Sequence, residues 1–130
     1  MALYFWIALG SAIGGLARFA LSGFVAHHVG ETFPWGTFIV NVSGSFLIGF
    51  FATITAPDGR FLVGSTARQF VMTGIFGGFT TYSSFSLQTL ALAREGEWFH
   101  AGANATLTFV VCFLAVWLGY VCATAFNSLK

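Results

Sequence analysis

Two clusters of neutral hydrogen-bonding side chains interrupt otherwise apolar sequence. In "VNVSGSF", Asn41 and Ser45 stand four apart, on one face if the segment is helical, and Ser43 falls on a different face. In "GIFGGFTTYSSFS" (74–86), the glycines Gly74, Gly77 and Gly78 are followed by Thr80, Thr81, Ser83, Ser84 and Ser86, and Gln88 lies four beyond Ser84. An asparagine amide donates, and a hydroxyl can turn its proton toward an anion. Tyr82 and Phe85, three apart, add ring edges of positive quadrupole character. Donors without permanent charge suit a small, dehydrated anion that must leave as readily as it arrives. The other chemistry open to this stretch is a cation held by backbone carbonyls. A lone Ser or Thr in a helix usually bonds back to its own i−4 carbonyl. Five hydroxyls in the seven residues after a glycine run exceed that role.

These groups sit in a chain that cannot face water all round. Of its 130 residues, 57% are hydrophobic, 18% aromatic and only 7% charged, and the mean hydropathy is +0.84. A soluble domain carries about 25% charged residues. The expected class is therefore an all-α integral membrane protein of one domain, covering 1–130. A net charge of +1 provides no field to attract nucleic acid. No Lys or Arg precedes Arg18, so "MALYFWIALG" lacks the positive n-region of a cleavable signal peptide. His27, His28 and His100 show no metal spacing and read as solvated or interfacial imidazoles. Neither a Ser/His/Asp set, HExxH nor CxxC is present, so an enzyme is not expected. Cys112 and Cys122, ten apart on one expected helix, cannot reach each other and read as packing or lipid-side thiols.

Apolar runs of about 20 residues mark membrane spans. Four are expected, over about 2–26, 36–56, 61–93 and 99–126, separated by "HHVGETFPW", "PDGR" and "REGEW". Trp6, Trp35 and Trp98 fall near segment ends, as interfacial aromatics do. The third run is too long: as one helix it would measure about 50 Å, against a hydrocarbon core of about 30 Å. Its glycines are poor helix formers, which predicts a broken helix, with the interruption near 77–81. Broken helices at mid-membrane are where transporters and channels hold ions. Tight packing is a compatible role for the same glycines, since Gly10/Gly14 and Gly74/Gly78 are both small-xxx-small pairs.

With four spans, Arg60, Arg68 and Lys130 lie toward one side and Arg18 and Arg94 toward the other. Orientation follows Lys/Arg asymmetry, and three against two is nearly none. The chain is expected to insert both ways up and form an antiparallel, dual-topology homodimer in the lipid bilayer. Glu31, Asp58, Glu95 and Glu97 all fall in connections, which leaves a small multidrug-type antiporter without its membrane carboxylate. A non-conducting assembly protein would explain the glycines but not Asn41 and the hydroxyls. Arg18, in "GGLARF", either snorkels to the interface or lines an aqueous entrance that favours anions.

Three stretches, "GGLARF" (14–19), "WGTFIVNVSGSFLIGF" (35–50) and "GIFGGFTTYSSFS" (74–86), resemble those of the CrcB/Fluc family of fluoride channels, in the family's order and across essentially the whole chain. The resemblance implies passive, selective export of cytoplasmic fluoride through two pores per antiparallel dimer in a prokaryotic plasma (inner) membrane. It matches Asn41 to the pore asparagine, Phe85 to the second of two pore phenylalanines, Ser83 and Ser84 to a polar track, and Arg18 to the vestibule arginine. It also implies a structural Na⁺ at the dimer centre, held by the backbone carbonyls of Gly77 and Thr80 from both subunits. Tyr82 stands where the family has the first phenylalanine, and Gln88 where many members carry glutamate.

Overall fold

The computed structural model describes residues 1–129; Lys130, one of the cations weighed above, lies outside the described residues. All regular structure in them is helical: α1 (Ala2–Val29), α2 (Trp35–Ile54), α3 (Ser65–Gln69), a π-helical segment (Phe70–Phe76), α4 (Gly77–Phe79), α5 (Tyr82–Arg94) and α6 (Trp98–Asn127). Among the described residues, α1, α2 and α6 are long and apolar enough to cross a membrane. The third apolar run is composite. α3, the π-helical segment and α4 follow one another with helical backbone throughout, and α5 resumes after Thr80 and Thr81.

The composite rod starts at Ser65, later than apolarity alone predicts. After α2 the chain makes a tight turn, with Gly59 N–H donating to Ala56 C=O (2.7 Å) and Phe61 N–H to Ile54 C=O (3.1 Å), and Gly64 enters the helix in extended conformation. The end of α2 carries carbonyls with no intrahelical partner. Arg68 supplies donors to this end: Nη2 reaches Ala52 C=O (3.1 Å) and Nε reaches Thr55 Oγ1 (3.1 Å). A cation at a helix C-terminus also complements the helix dipole. Asn127 joins the same end, donating Nδ2 to Thr53 C=O (3.2 Å) and accepting from Arg60 N–H (2.7 Å).

Two glycine-mediated interfaces build the bundle. On α1, a Cβ at Gly10 would come within 2.6 Å of Phe70 O, and one at Gly14 within 2.0 Å of Ile75 O. Reciprocally, a Cβ on Gly78 would come within 2.6 Å of Ser11 O. These glycines let two backbones touch, where dispersion acts over many close atoms. They do not break the helix: Gly77 keeps φ −64° and ψ −36°. The interruption expected near 77–81 falls at Thr80 (φ −82°, ψ 157°) and Thr81 (φ −150°, ψ 112°), both extended. Extended backbone suits β-branched residues, while the glycines serve close packing. The second interface joins α2 to α6, where Gly49 approaches Val116 O and Gly119 approaches Phe46 O. The interior is sparse and small-residued, with Val40 and Ala123 fully buried. Large side chains such as Phe19, Phe99 and Phe109 point outward, the arrangement of a chain whose solvent is lipid.

Candidate functional site

The break leaves main-chain groups that no helix satisfies, and in an apolar medium each unpaired group costs several kcal/mol. Asn41 meets both groups of one residue. Its Nδ2 donates to Thr81 C=O (3.0 Å), and its Oδ1 accepts from Thr81 N–H (2.7 Å). A carboxamide is a peptide in miniature, so it pairs with an extended residue as a neighbouring strand would. Asn41 is buried on α2, 7% exposed, and Thr81 lies 40 residues away in sequence. Thr81 also caps α5, its Oγ1 accepting from Ser84 N–H (3.1 Å). The preceding half-rod is closed by Thr80, whose N–H (3.0 Å) and Oγ1 (3.1 Å) both donate to Phe76 C=O.

On the opposite side, Arg18 donates Nε to Gly78 C=O (3.1 Å), at the C-terminal end of the first half-rod. A guanidinium there faces the negative end of a helix. Arg18 is thus tied to the third segment's backbone, a contact that neither snorkelling nor an entrance position foresaw.

Around the break lies a cleft of about 610 Å³ between α2, α5 and α6. Its lining includes Asn41, Gly77, Thr80, Tyr82 and Phe85 from the set singled out in the sequence. The Tyr82 and Phe85 rings meet edge to face, 5.5 Å between centroids and 69° between planes. Ser83, Ser84 and Arg18 do not line the cleft. Ser83 is exposed and shares a 3.4 Å hydroxyl contact with Thr81, and Ser84 offers its backbone to the cap.

Other polar groups take the position expected of the serines. Ser45 from α2 and Thr108 and Cys112 from α6 line the cleft. Asn104, Thr108 and Cys112 recur every four residues along one face of α6. That spacing is readable in the sequence, although a cysteine in an apolar segment reads as a packing or lipid-side thiol. Ser43 faces elsewhere, its Oγ donating to Ile39 C=O (2.7 Å). Among the described residues, no charged side chain lines the cleft, and no His/Cys/Asp/Glu cluster could hold a metal. Gln88 lies at a separate cavity of about 490 Å³ beside Glu31, Glu95 and Glu97.

The cleft therefore offers a second Nδ2–H of Asn41, hydroxyls and ring edges, with the first-turn amides of α5 beside them, which have no intrahelical acceptor. Chemically this is a neutral, donor-rich, partly aromatic passage at the start of a half-helix, where the dipole favours negative charge.

Comparison with known proteins gives a consistent picture. A family model described as CrcB-like protein, Camphor Resistance (CrcB), matches residues 5–120. The fluoride-specific ion channel FluC of Opitutus terrae is 65% identical over 130 residues, covering 100% of this chain and 98% of that protein. The FluC of Methylocella silvestris is 61% identical over 127 residues, covering 98% of this chain and 97% of its own length. That of Rhodospirillum rubrum is 52% identical over 125 residues, covering 96% and 97%. With full-length relatives of this kind and apolar helices of spanning length, the chain belongs to the CrcB family of multi-pass bacterial membrane proteins.

Proposed function

We propose that this protein is a fluoride-selective channel, passing the anion down its electrochemical gradient along the cleft beside the helix break. The observation that carries the reading is the pairing of Asn41 with Thr81. It holds the break open at fixed geometry and leaves one amide proton of Asn41 for a bound anion. The named relatives are ion channels rather than enzymes.

Fluoride is strongly hydrated, so the passage must replace water with donors. Asn41 and the Thr81 hydroxyl supply them, with the edges of Tyr82 and Phe85 beside them. None is charged, so the ion is attracted without being trapped. The acid form of fluoride is neutral and crosses membranes, and near neutral pH inside the cell it dissociates. An interior-negative potential then drives the anion outward with about 2.3 kcal/mol per 100 mV. This places the protein's work in a plasma (inner) membrane, as protection from fluoride accumulation.

The working unit is an antiparallel homodimer with two such pathways. Near-balanced Lys/Arg supports dual insertion, and the exposure of Gly77 and Tyr82 leaves surface for a second copy. Gly77 and Thr80 fit a structural Na⁺ on that axis. The backbone is extended at Thr80, Gly77 is open around its Cα, and neutral oxygens suit a hard monovalent cation. Arg18 engages Gly78 C=O, the carbonyl between them. The Na⁺ would join two copies of the break electrostatically. In the pathway itself, Ser45, Thr108 and Cys112 act as the hydroxyl and thiol track, and Ser83, Ser84 and Arg18 support the break.

Purified protein in liposomes tests the function. Rapid fluoride efflux with negligible chloride efflux is expected, and equal leakage of both, or of neither, refutes it. Reporter fusions at the C-terminus should appear on both membrane faces; a single face removes the antiparallel dimer but not the channel.

A further inference from the structure

Behind the cleft wall lies a polar relay whose middle members, Asn104 and Thr89, do not line the pathway. Asn104 on α6 is 2% exposed and absent from the cleft lining. Its Nδ2 donates to Thr89 Oγ1 on α5 (2.8 Å), and its Oδ1 accepts from Thr108 Oγ1 (3.4 Å). Thr89 donates its own proton to Phe85 C=O (2.8 Å). A hydroxyl has one proton and an amide nitrogen only donates, so the relay runs in one direction: Thr108 to Asn104 to Thr89 to Phe85.

Its two ends, Phe85 and Thr108, line the cleft from different helices. α5 is cut from its first half by the break and packs chiefly on α6, with lighter contact to α2. The Asn104–Thr89 bond ties α5, which carries the Phe85 ring, to α6, which carries Thr108, and side-chain networks of this kind specify a single arrangement. We propose that Asn104, acting through Thr89, is a positioning residue that sets the spacing between the Phe85 ring and the Thr108 hydroxyl. The pathway's preference for fluoride over the larger chloride depends on that spacing. The inference rests on the fluoride-channel reading above.

Thr89→Val keeps the side-chain shape and removes the hydroxyl, Thr89→Ser keeps the hydroxyl, and Asn104→Leu removes the amide. The readout is the ratio of fluoride to chloride permeability in liposomes. This ratio does not depend on how much folded protein is present, which is all that a merely structural role would change. Losing one net hydrogen bond from the relay lowers the ratio by about tenfold in Thr89→Val and Asn104→Leu. Thr89→Ser retains the wild-type ratio. An unchanged ratio in Thr89→Val overturns the proposal. If neither of those two variants reconstitutes, Asn104→Gln, which keeps the amide but displaces it by a methylene, is judged on the same ratio; a wild-type value there overturns the proposal. Wild-type protein without fluoride preference would instead overturn the channel reading, so the two failures are distinguishable.

Discussion

Replacing Asn41 by leucine isolates the interaction that holds the third segment open. Leucine is close to asparagine in size and packs well on α2, so the change removes a donor and an acceptor without leaving a large void. Thr81 N–H and C=O, now bonded at 2.7 and 3.0 Å, lose their partners. Thr81 is half-buried beside the cleft, so each orphan costs upward of about 1 kcal/mol, and the loss is about 2 kcal/mol or more. Against the about 5–15 kcal/mol by which folded proteins are stable, that is a large fraction. A domain of this size loses roughly 3–5 °C of unfolding midpoint per kcal/mol, so a fall of about 6 °C or more is expected. The assay is thermal unfolding in detergent, followed by circular dichroism, with flux measured on the surviving folded protein. A leucine variant with the wild-type midpoint would show that Asn41 does not satisfy the break, and the reasoning from buried backbone groups would fail.

Four further outcomes are expected. Asn41→Asp keeps the acceptor for Thr81 N–H but turns a carboxylate oxygen toward Thr81 C=O and sets a negative charge in the anion's path, so fluoride efflux per folded protein is abolished; normal efflux would move the pathway elsewhere. Phe85→Ile removes the ring edge and strongly reduces efflux in the same assay. Gly14→Ala forces a methyl to within 2.0 Å of Ile75 O and destabilises markedly, whereas Gly102→Ala on α6, with nothing within 4 Å of its Cβ, is neutral or stabilising by about 0.5–1 kcal/mol; unfolding midpoints of the pair decide. Protein purified throughout without Na⁺ loses fluoride transport and regains it on Na⁺ addition or reassembly, and full activity in its absence counts against the central cation.

Much of this was legible from residue types. Composition alone required lipid, and apolar run lengths marked four segments, three of which are single helices of spanning length among the described residues while the third in chain order is composite. The four-residue spacing of Asn41 and Ser45 put them on one face, and both line the cleft. What was not legible depends on which backbone meets which. Glycines and threonines adjoin in "GGFTT", and propensity assigns the break to the glycines. Gly74 and Gly78 instead pack on α1, Gly77 between them stays helical, and the break passes to Thr80 and Thr81, where Asn41 can pair with it. That partner lies 40 residues distant in sequence, beyond the reach of local pattern. The π-helical turn at Phe70–Phe76 has no sequence signature that we can identify. Arg18 could be placed near a helix end, but its acceptor, Gly78 C=O, exists as an available carbonyl only because the rod stops shortly after it.

The most direct measurement is the reversal potential of reconstituted protein in a planar bilayer, with fluoride salt on one side and the matching chloride salt on the other. A passive pathway built from neutral donors at the Asn41–Thr81 junction carries current that reverses far toward the fluoride equilibrium potential. A reversal near zero, or no current at all, would contradict it.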